Sequence, residues 1–319
     1  MLGALYTVKL SPEMRFWDGI AQIKQAWAGK LSQEYPSKVV VYGGSSCTFS
    51  LDGKRALDRF GLPLVNCGLG AGMGSTVLTN WALSQLRRGD TLILALEPGA
   101  LTEVDDLPAM GVQFAVSMHA LAWTEQPWQQ TRPGWFNFVD ALRPGGTQVF
   151  TMLAKCASRA PLFRYSVADC NPSGLEHTQV RLPPGGFPGH GASIPPERRA
   201  FLKWLCEWCA NHGVRVAYSL PWGYSPREAA QSFRESNIRF LCQLSEFIPI
   251  LKDPRLGVQE DAEKFADTNW HLTEKAAAER TDEFARQVQQ WSVWSPEELA
   301  TLQRQCNIAG PSDTVRSSP

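Results

Sequence analysis

KVVVYGGSSCTFSLD, residues Lys38 to Asp52, is the stretch from which the rest of the chain is read. A short β-branched run, Val39 to Tyr42, is followed by two glycines, two serines and residues able to open a helix. A continuous apolar run of this kind is the pattern of a strand buried on both faces of a parallel sheet. In an open α/β sheet the carboxyl end of such a strand is where ligands and catalytic groups gather. A serine delivered there by Gly43-Gly44 has its hydroxyl at the rim of the sheet. The competing reading is a strand-to-helix turn in which Ser45 or Ser46 only caps the next helix.

Working outward, helical residues are expected from about Phe16 to Glu34 and from Asp52 to Phe60. A second strand, Leu64 to Asn66, leads into the glycine-rich turn CGLGAGMG, Cys67 to Gly74. A helix of about Ser75 to Arg88 and a third strand, Thr91 to Leu96, follow, and this strand ends at Glu97-Pro98. Strands alternating with helices at this spacing predict βαβ units and a parallel sheet. Val112 to Trp123 and Phe150 to Ser158 read as helical, and Arg164 to Pro196, rich in Pro and Gly, as an irregular excursion forming a lid or a cleft wall. Regularity returns with helix Glu197–Asn211, strand Val214–Leu220, helix Pro226–Leu244, a fifth strand Phe247–Leu251 and helix Thr273–Gln290. The expected organisation is a helical lead-in over 1–37, one α/β domain over 38–306 with an insertion at 99–196, and a flexible tail over 307–319.

Composition narrows the function classes. The 319 residues are 44% hydrophobic and 19% charged, enough for an ordinary globular core. A formal net charge of +0 gives no basic field for nucleic acid or an anionic membrane surface. No apolar run reaches membrane-spanning length, and no basic start with a long apolar segment marks a signal peptide. The expected location is therefore cytoplasmic, although an exported domain without its leader reads the same way. The eight cysteines are scattered, and Cys206 and Cys209, a CxxC within a helical pattern, read as small buried hydrophobes with no second pair to complete a metal site. No cofactor or metal is expected. Several of the twelve tryptophans, including Trp222 and Trp270, fall in loops, where an aromatic face can line a cleft or stack on a sugar ring.

The chemistry-bearing residues sit at three points. Asp267 and His271 precede the last long helix; an aspartate can hold an imidazole's tautomer and stabilise its protonated form, as a serine nucleophile requires. The bland alternative is a capped, solvated helix start. His119 and His212 lie in helical patterns, and His177 and His190 in the excursion.

Taken together, a serine after strand one, a glycine turn after strand two and an Asp–His pair before the last helix resemble the SGNH (GDSL-like) hydrolase superfamily. The resemblance covers about residues 38–97 and 265–280. It implies a three-layer, flavodoxin-like α/β fold of about five parallel strands. It also implies Ser45 as nucleophile with Ser46 as runner-up, Gly68 or Gly70 as oxyanion donor, and His271 and Asp267 as base and orienter. Gly44 stands where that family has Asp, Leu96-Glu97-Pro98 replaces its Gly-x-Asn-Asp block, and Asp-Thr-Asn-Trp-His is one residue longer than Asp-x-x-His. These features are similar to the divergent branch tied to polysaccharide or teichoic-acid acylation. Some relatives there carry a shorter last block, in which Asn269 would align with the histidine. In place of the missing third-block Asn, Asn66 or a backbone amide near Ala71 would assist the oxyanion, and Glu97 would orient a substrate hydroxyl or act as a structural acceptor. The implied partner is a small-molecule or carbohydrate acyl ester. Two other classes stay open: a catalytically inactive glycan- or partner-binding protein of the same fold, and a nucleotide- or S-adenosylmethionine-binding α/β protein. Against the latter, GxGxxG fails in every register of Gly68, Gly70, Gly72 and Gly74.

Overall fold

A parallel four-stranded sheet carries the chain: β1 Val39–Tyr42, β2 Leu64–Asn66, β3 Thr91–Leu94 and β4 Arg215–Tyr218, in the order β2-β1-β3-β4. The computed structural model describes residues 11–103, 108–117, 146–159, 163–176, 178, 181, 184–185, 191 and 193–308. Trp123, Trp128, Trp135, His119, His177 and His190 lie outside the described residues, as do 118–123 of the helix expected at Val112–Trp123 and 309–319 of the expected tail.

β1 is central because Val39, Val40 and Val41 pair on one side with Leu64, Val65 and Asn66 and on the other with Thr91, Leu92 and Ile93. Side chains alternate across a strand, so each face of the sheet builds its own core. Val40, Tyr42, Val65, Leu92, Leu94 and Tyr218 belong to one. Against that face pack the helices α1 Pro12–Glu34, α4 Ser75–Leu83, α8 Pro196–Asn211 and α9 Arg227–Leu244. Val39, Val41, Leu64, Ile93 and Ala217 belong to the other, with Ala56 of α3 Gly53–Phe60 and Phe284, Ala285 and Val288 of α10 Glu274–Gln290. Intervening helices are α2 Ser45–Thr48, α5 Pro98–Thr102, α6 Ala109–Ser117 and α7 Gly146–Ser158, and α11 Pro296–Ile308 follows α10.

The expected fifth strand is reduced to two isolated bridges, a parallel one from Ile250 to Tyr218 and an antiparallel one from Leu251 to Val293, with Leu251 N–H donating to the Tyr218 carbonyl. Pro249 has no N–H to give to a ladder; only its carbonyl takes part, accepting from Tyr218. The described sheet thus has four strands, in an order compatible with a flavodoxin-like arrangement. A second, two-stranded parallel ribbon, β5 Gly223–Tyr224 with β6 Val258–Gln259, was not foreseen.

Other boundaries shift for local reasons. α4 stops at Leu83 rather than Arg88, where Ser84 Oγ bonds back to the Trp81 carbonyl at 2.7 Å. Beyond it the Arg87 guanidinium donates to the carbonyls of Ser32 and Tyr35 at the end of α1. The lead-in helix α1 is part of the main core: Trp17, Ile20 and Leu31 are buried, and Trp27 Nε1 donates to the Leu64 carbonyl at 2.8 Å. α11 carries helical structure past the expected start of the tail at 307.

Candidate active site

The turn after β1 is shaped by contact with the end of β3. A Cβ on Gly43 would lie 2.2 Å from the Ala95 carbonyl oxygen, so only glycine lets the two strand ends approach this closely. The chain then enters α2 with Ser45 as its first residue. Ser45 is half-buried and lines a cavity of about 440 Å³, whereas Ser46 is buried and its Oγ has no hydrogen-bond partner among the described residues. Of the two serines, the structure puts Ser45 on the open space. β1 and β3 are the pair between which the strand order reverses, the point where ligands bind in open α/β sheets.

Glu97, at the end of β3, borders the same cavity and accepts from the Ser46 N–H at 3.3 Å. It therefore caps α2 as a structural acceptor while facing the open space. The cavity is completed by Ala71, Gly72 and Gly74 of the glycine turn, Leu78, Leu96, Glu103, Pro108 and Trp270. Its walls are largely apolar, with two carboxylates. Trp270 is seated by β5, since a Cβ on Gly223 would lie 2.8 Å from the Trp270 ring.

In the glycine turn, Asn66 is fully buried and committed: its Nδ2 donates to the carbonyls of Cys47 at 2.9 Å and Leu51 at 2.7 Å. Its Oδ1 accepts from Gly68 N–H at 2.9 Å. Asn66 thus supports the turn rather than facing the cavity, and the Gly68 amide is occupied. The Gly70 amide has no hydrogen-bond partner among the described residues. Ser45, as the first residue of a helix, also has an N–H without an intrahelical partner. A buried cation fixes this turn from below: Lys24 of α1, with no exposed surface, donates through Nζ to the Gly68 carbonyl. Burial lowers the Lys24 ammonium to about 8.

Asp267 and His271 share a loop closed on itself. Phe265 and Leu272 form an antiparallel bridge, and Thr268 Oγ1 accepts from the His271 N–H at 3.1 Å. Thr273 caps α10 by accepting from Ala276 N–H. Within the loop His271 Nδ1 lies 2.8 Å from Asp267 Oδ1. Burial pushes the Asp267 carboxyl up, but hydrogen bonds from His271, Tyr165 and Arg164 outweigh it and hold the group at about 2. An ionised carboxylate only accepts, so Nδ1 carries the proton and Nε2 is the basic nitrogen. Asp267 pairs with His271; the half-buried Asn269 contributes a backbone carbonyl to Tyr224 N–H at 2.9 Å.

Three residues that sequence reasoning missed complete the surroundings. Phe49 stacks on the His271 ring, centroids 4.0 Å apart and planes at 15°. Tyr165 Oη donates to Asp267 Oδ2 at 2.7 Å and Arg164 Nη1 to the same oxygen at 3.0 Å. Phe49 lies four residues after Ser45, a spacing that places both on one side of a helical turn; Arg164 and Tyr165 carry no such signal. Nearby, Glu176 is buried with both carboxylate oxygens lacking a hydrogen-bond partner among the described residues. Burial and the charge of Asp267 push it up to about 8.

Of the Asp267–His271 loop, Trp270 borders the cavity that Ser45 lines, and Phe49 of the turn after α2 stacks on His271. Among the described residues no hydrogen bond joins Ser45 Oγ to His271, no group of three or more His, Cys, Asp and Glu could hold a metal ion, and no helix is long and apolar enough to cross a membrane. Cys209 is buried, and Cys206 donates through Sγ to the Phe247 carbonyl at 3.3 Å. No protein-family model, curated protein or solved structure matches the chain.

Proposed function

We propose that the chain is a serine-dependent acyl-ester hydrolase or O-acyltransferase on a three-layer, flavodoxin-like scaffold of SGNH type. The observation that carries this reading is the 2.8 Å Asp267–His271 hydrogen bond, in a loop whose Trp270 borders the cavity that Ser45 lines. Nε2 of His271 takes the Ser45 proton as Oγ attacks the acyl carbon. The amides of Ser45 and Gly70 receive the oxyanion, a contribution of about 3–4 kcal/mol for each well-placed donor. Collapse of the tetrahedral intermediate breaks the ester C–O bond, and the leaving alkoxide takes the proton from His271. The acyl group then stays on Ser45 until water or a sugar hydroxyl attacks it with His271 again as base. An O-acetylated carbohydrate fits the cavity's chemistry: Trp270 offers a ring face, and Glu97 and Glu103 accept from hydroxyls.

A second reading, a glycan-binding protein without turnover, is favoured by the lack of a Ser45–His271 hydrogen bond, although such bonds are often long before substrate arrives. A fluorophosphonate probe separates the two. Labelling that is lost in Ser45→Ala and His271→Ala, and kept in Ser46→Ala, supports the hydrolase or transferase; a folded native protein that never labels removes it.

A further inference from the structure

Asp267 spends one oxygen on His271 and the other on the excursion. Its Oδ2 receives Tyr165 Oη at 2.7 Å and Arg164 Nη1 at 3.0 Å, while Oδ1 receives His271 Nδ1 at 2.8 Å. Tyr165 Oη also stands 3.4 Å from His271 Nδ1. A carboxylate held only by its histidine can turn about its Cβ–Cγ bond; one gripped on both oxygens cannot. Burial and the adjacent Asp267 push the Tyr165 phenol well above its ordinary range, so it remains an O–H donor. Its ring is itself fixed, packing on Phe49 at 5.1 Å, Phe163 at 5.5 Å and Phe16 of α1 at 5.6 Å between centroids. The same Phe49 stacks on His271. One aromatic cluster therefore orients the imidazole by its face and the aspartate by its second oxygen.

We propose that Tyr165 and Arg164 are positioning residues for the Asp267–His271 pair, locking the carboxylate so that Oδ1 faces Nδ1. The proposal rests on the reading of Ser45, His271 and Asp267 as a catalytic set. Sharing Asp267's charge among three donors also limits how strongly it holds the histidine's proton. Removing one donor concentrates that charge on His271, which favours the protonated ring and moves the acid limb of the pH profile upward. Glu176, whose carboxyl the charge of Asp267 helps to raise, is unchanged in every variant below.

The test compares the native chain with Tyr165→Phe, Arg164→Gln and Arg164→Lys. The readouts are the rate of fluorophosphonate labelling as a function of pH and the downfield proton resonance of His271 Nδ1–H, with thermal melting to confirm folding. Tyr165→Phe keeps the ring and its packing. It is expected to slow labelling by roughly 10- to 100-fold, the scale of one hydrogen bond to a charged group. It should also move the acid limb to higher pH and displace the Nδ1–H resonance. Arg164→Lys is expected to retain more labelling than Arg164→Gln. Native rate, profile and resonance in Tyr165→Phe and Arg164→Gln would overturn the proposal. If the folded native chain does not label at all, the serine reading fails, and the resonance alone then decides whether these two residues position the pair.

Discussion

The carboxylate of Glu97 occupies the space that a side chain at Gly44 would need. A Cβ there would lie 2.6 Å from both Glu97 oxygens and 2.8 Å from the Ala71 Cβ. The acid beyond β3 and the glycine after β1 are therefore one arrangement. Gly44→Ala is expected to cost about 1–3 kcal/mol by overpacking, because Glu97 can swing away but the Ala71 methyl cannot. Combining it with Glu97→Ala should recover part of that loss. Denaturant unfolding of both single variants and the double measures the coupling; strictly additive values would show that the two positions do not share the space.

Lys24 ties a helix ahead of the sheet to the turn that carries the Gly70 amide. Lys24→Met keeps the apolar stem and removes the donor to the Gly68 carbonyl. An unpaired buried carbonyl costs about 1–3 kcal/mol, and the released turn should slow Ser45 labelling while Asp267 and His271 stay paired. Unchanged labelling together with unchanged stability would remove Lys24 from any part in shaping the turn.

Acid should weaken the fold through Asp267. Its carboxyl is held at about 2 against an ordinary value of 3.8, so the unfolded chain binds more protons between those values. The stabilisation is complete above about pH 4 and is lost as pH falls toward 2, on the order of 2 kcal/mol. Asp267→Asn should lack this acid limb in stability curves measured from pH 5 to 2. A variant curve parallel to the native one would contradict it.

Glu176 should act in the opposite sense. With its carboxyl raised from 4.5 to about 8, the folded state holds a proton that the unfolded state has released. Stability then falls as pH rises from about 5 to 8, and Lys24 offsets only part of the effect. Glu176→Gln is expected to flatten this slope and add on the order of 2–4 kcal/mol at pH 8. A native and a variant protein with equal slopes would refute it.

What was legible in the sequence is what repeats or caps. Val39, Val40 and Val41 signalled a buried strand, Asp52 and Thr273 marked helix starts, and the spacing of Asp267 from His271 suggested a pair. The serine turn and the Asp–His loop were placed from such local signals, and Trp270 of that loop borders the cavity that Ser45 lines. Less was visible where contacts depend on distant segments. Nothing periodic marks Arg164 and Tyr165, whose role follows from one carboxylate oxygen on the far side of a loop. Pro249 concealed how little of the fifth strand would pair. Lys24 lies within the helix expected from Phe16 to Glu34, and only the fold shows that it is buried. The Gly68 amide was indistinguishable from that of Gly70 until Asn66 was seen to claim it.

The two halves of the proposed site lie far apart in the sequence, Ser45 in the turn after β1 and His271 just ahead of α10. At roughly 5–20 residues per second, synthesis reaches the histidine on the order of 10–50 s after the serine. A nascent chain therefore carries the serine turn well before it has a base to activate it. On the proposed reading, chemistry at Ser45 waits for synthesis to reach His271, so the order of the residues delays activity while the chain is being made.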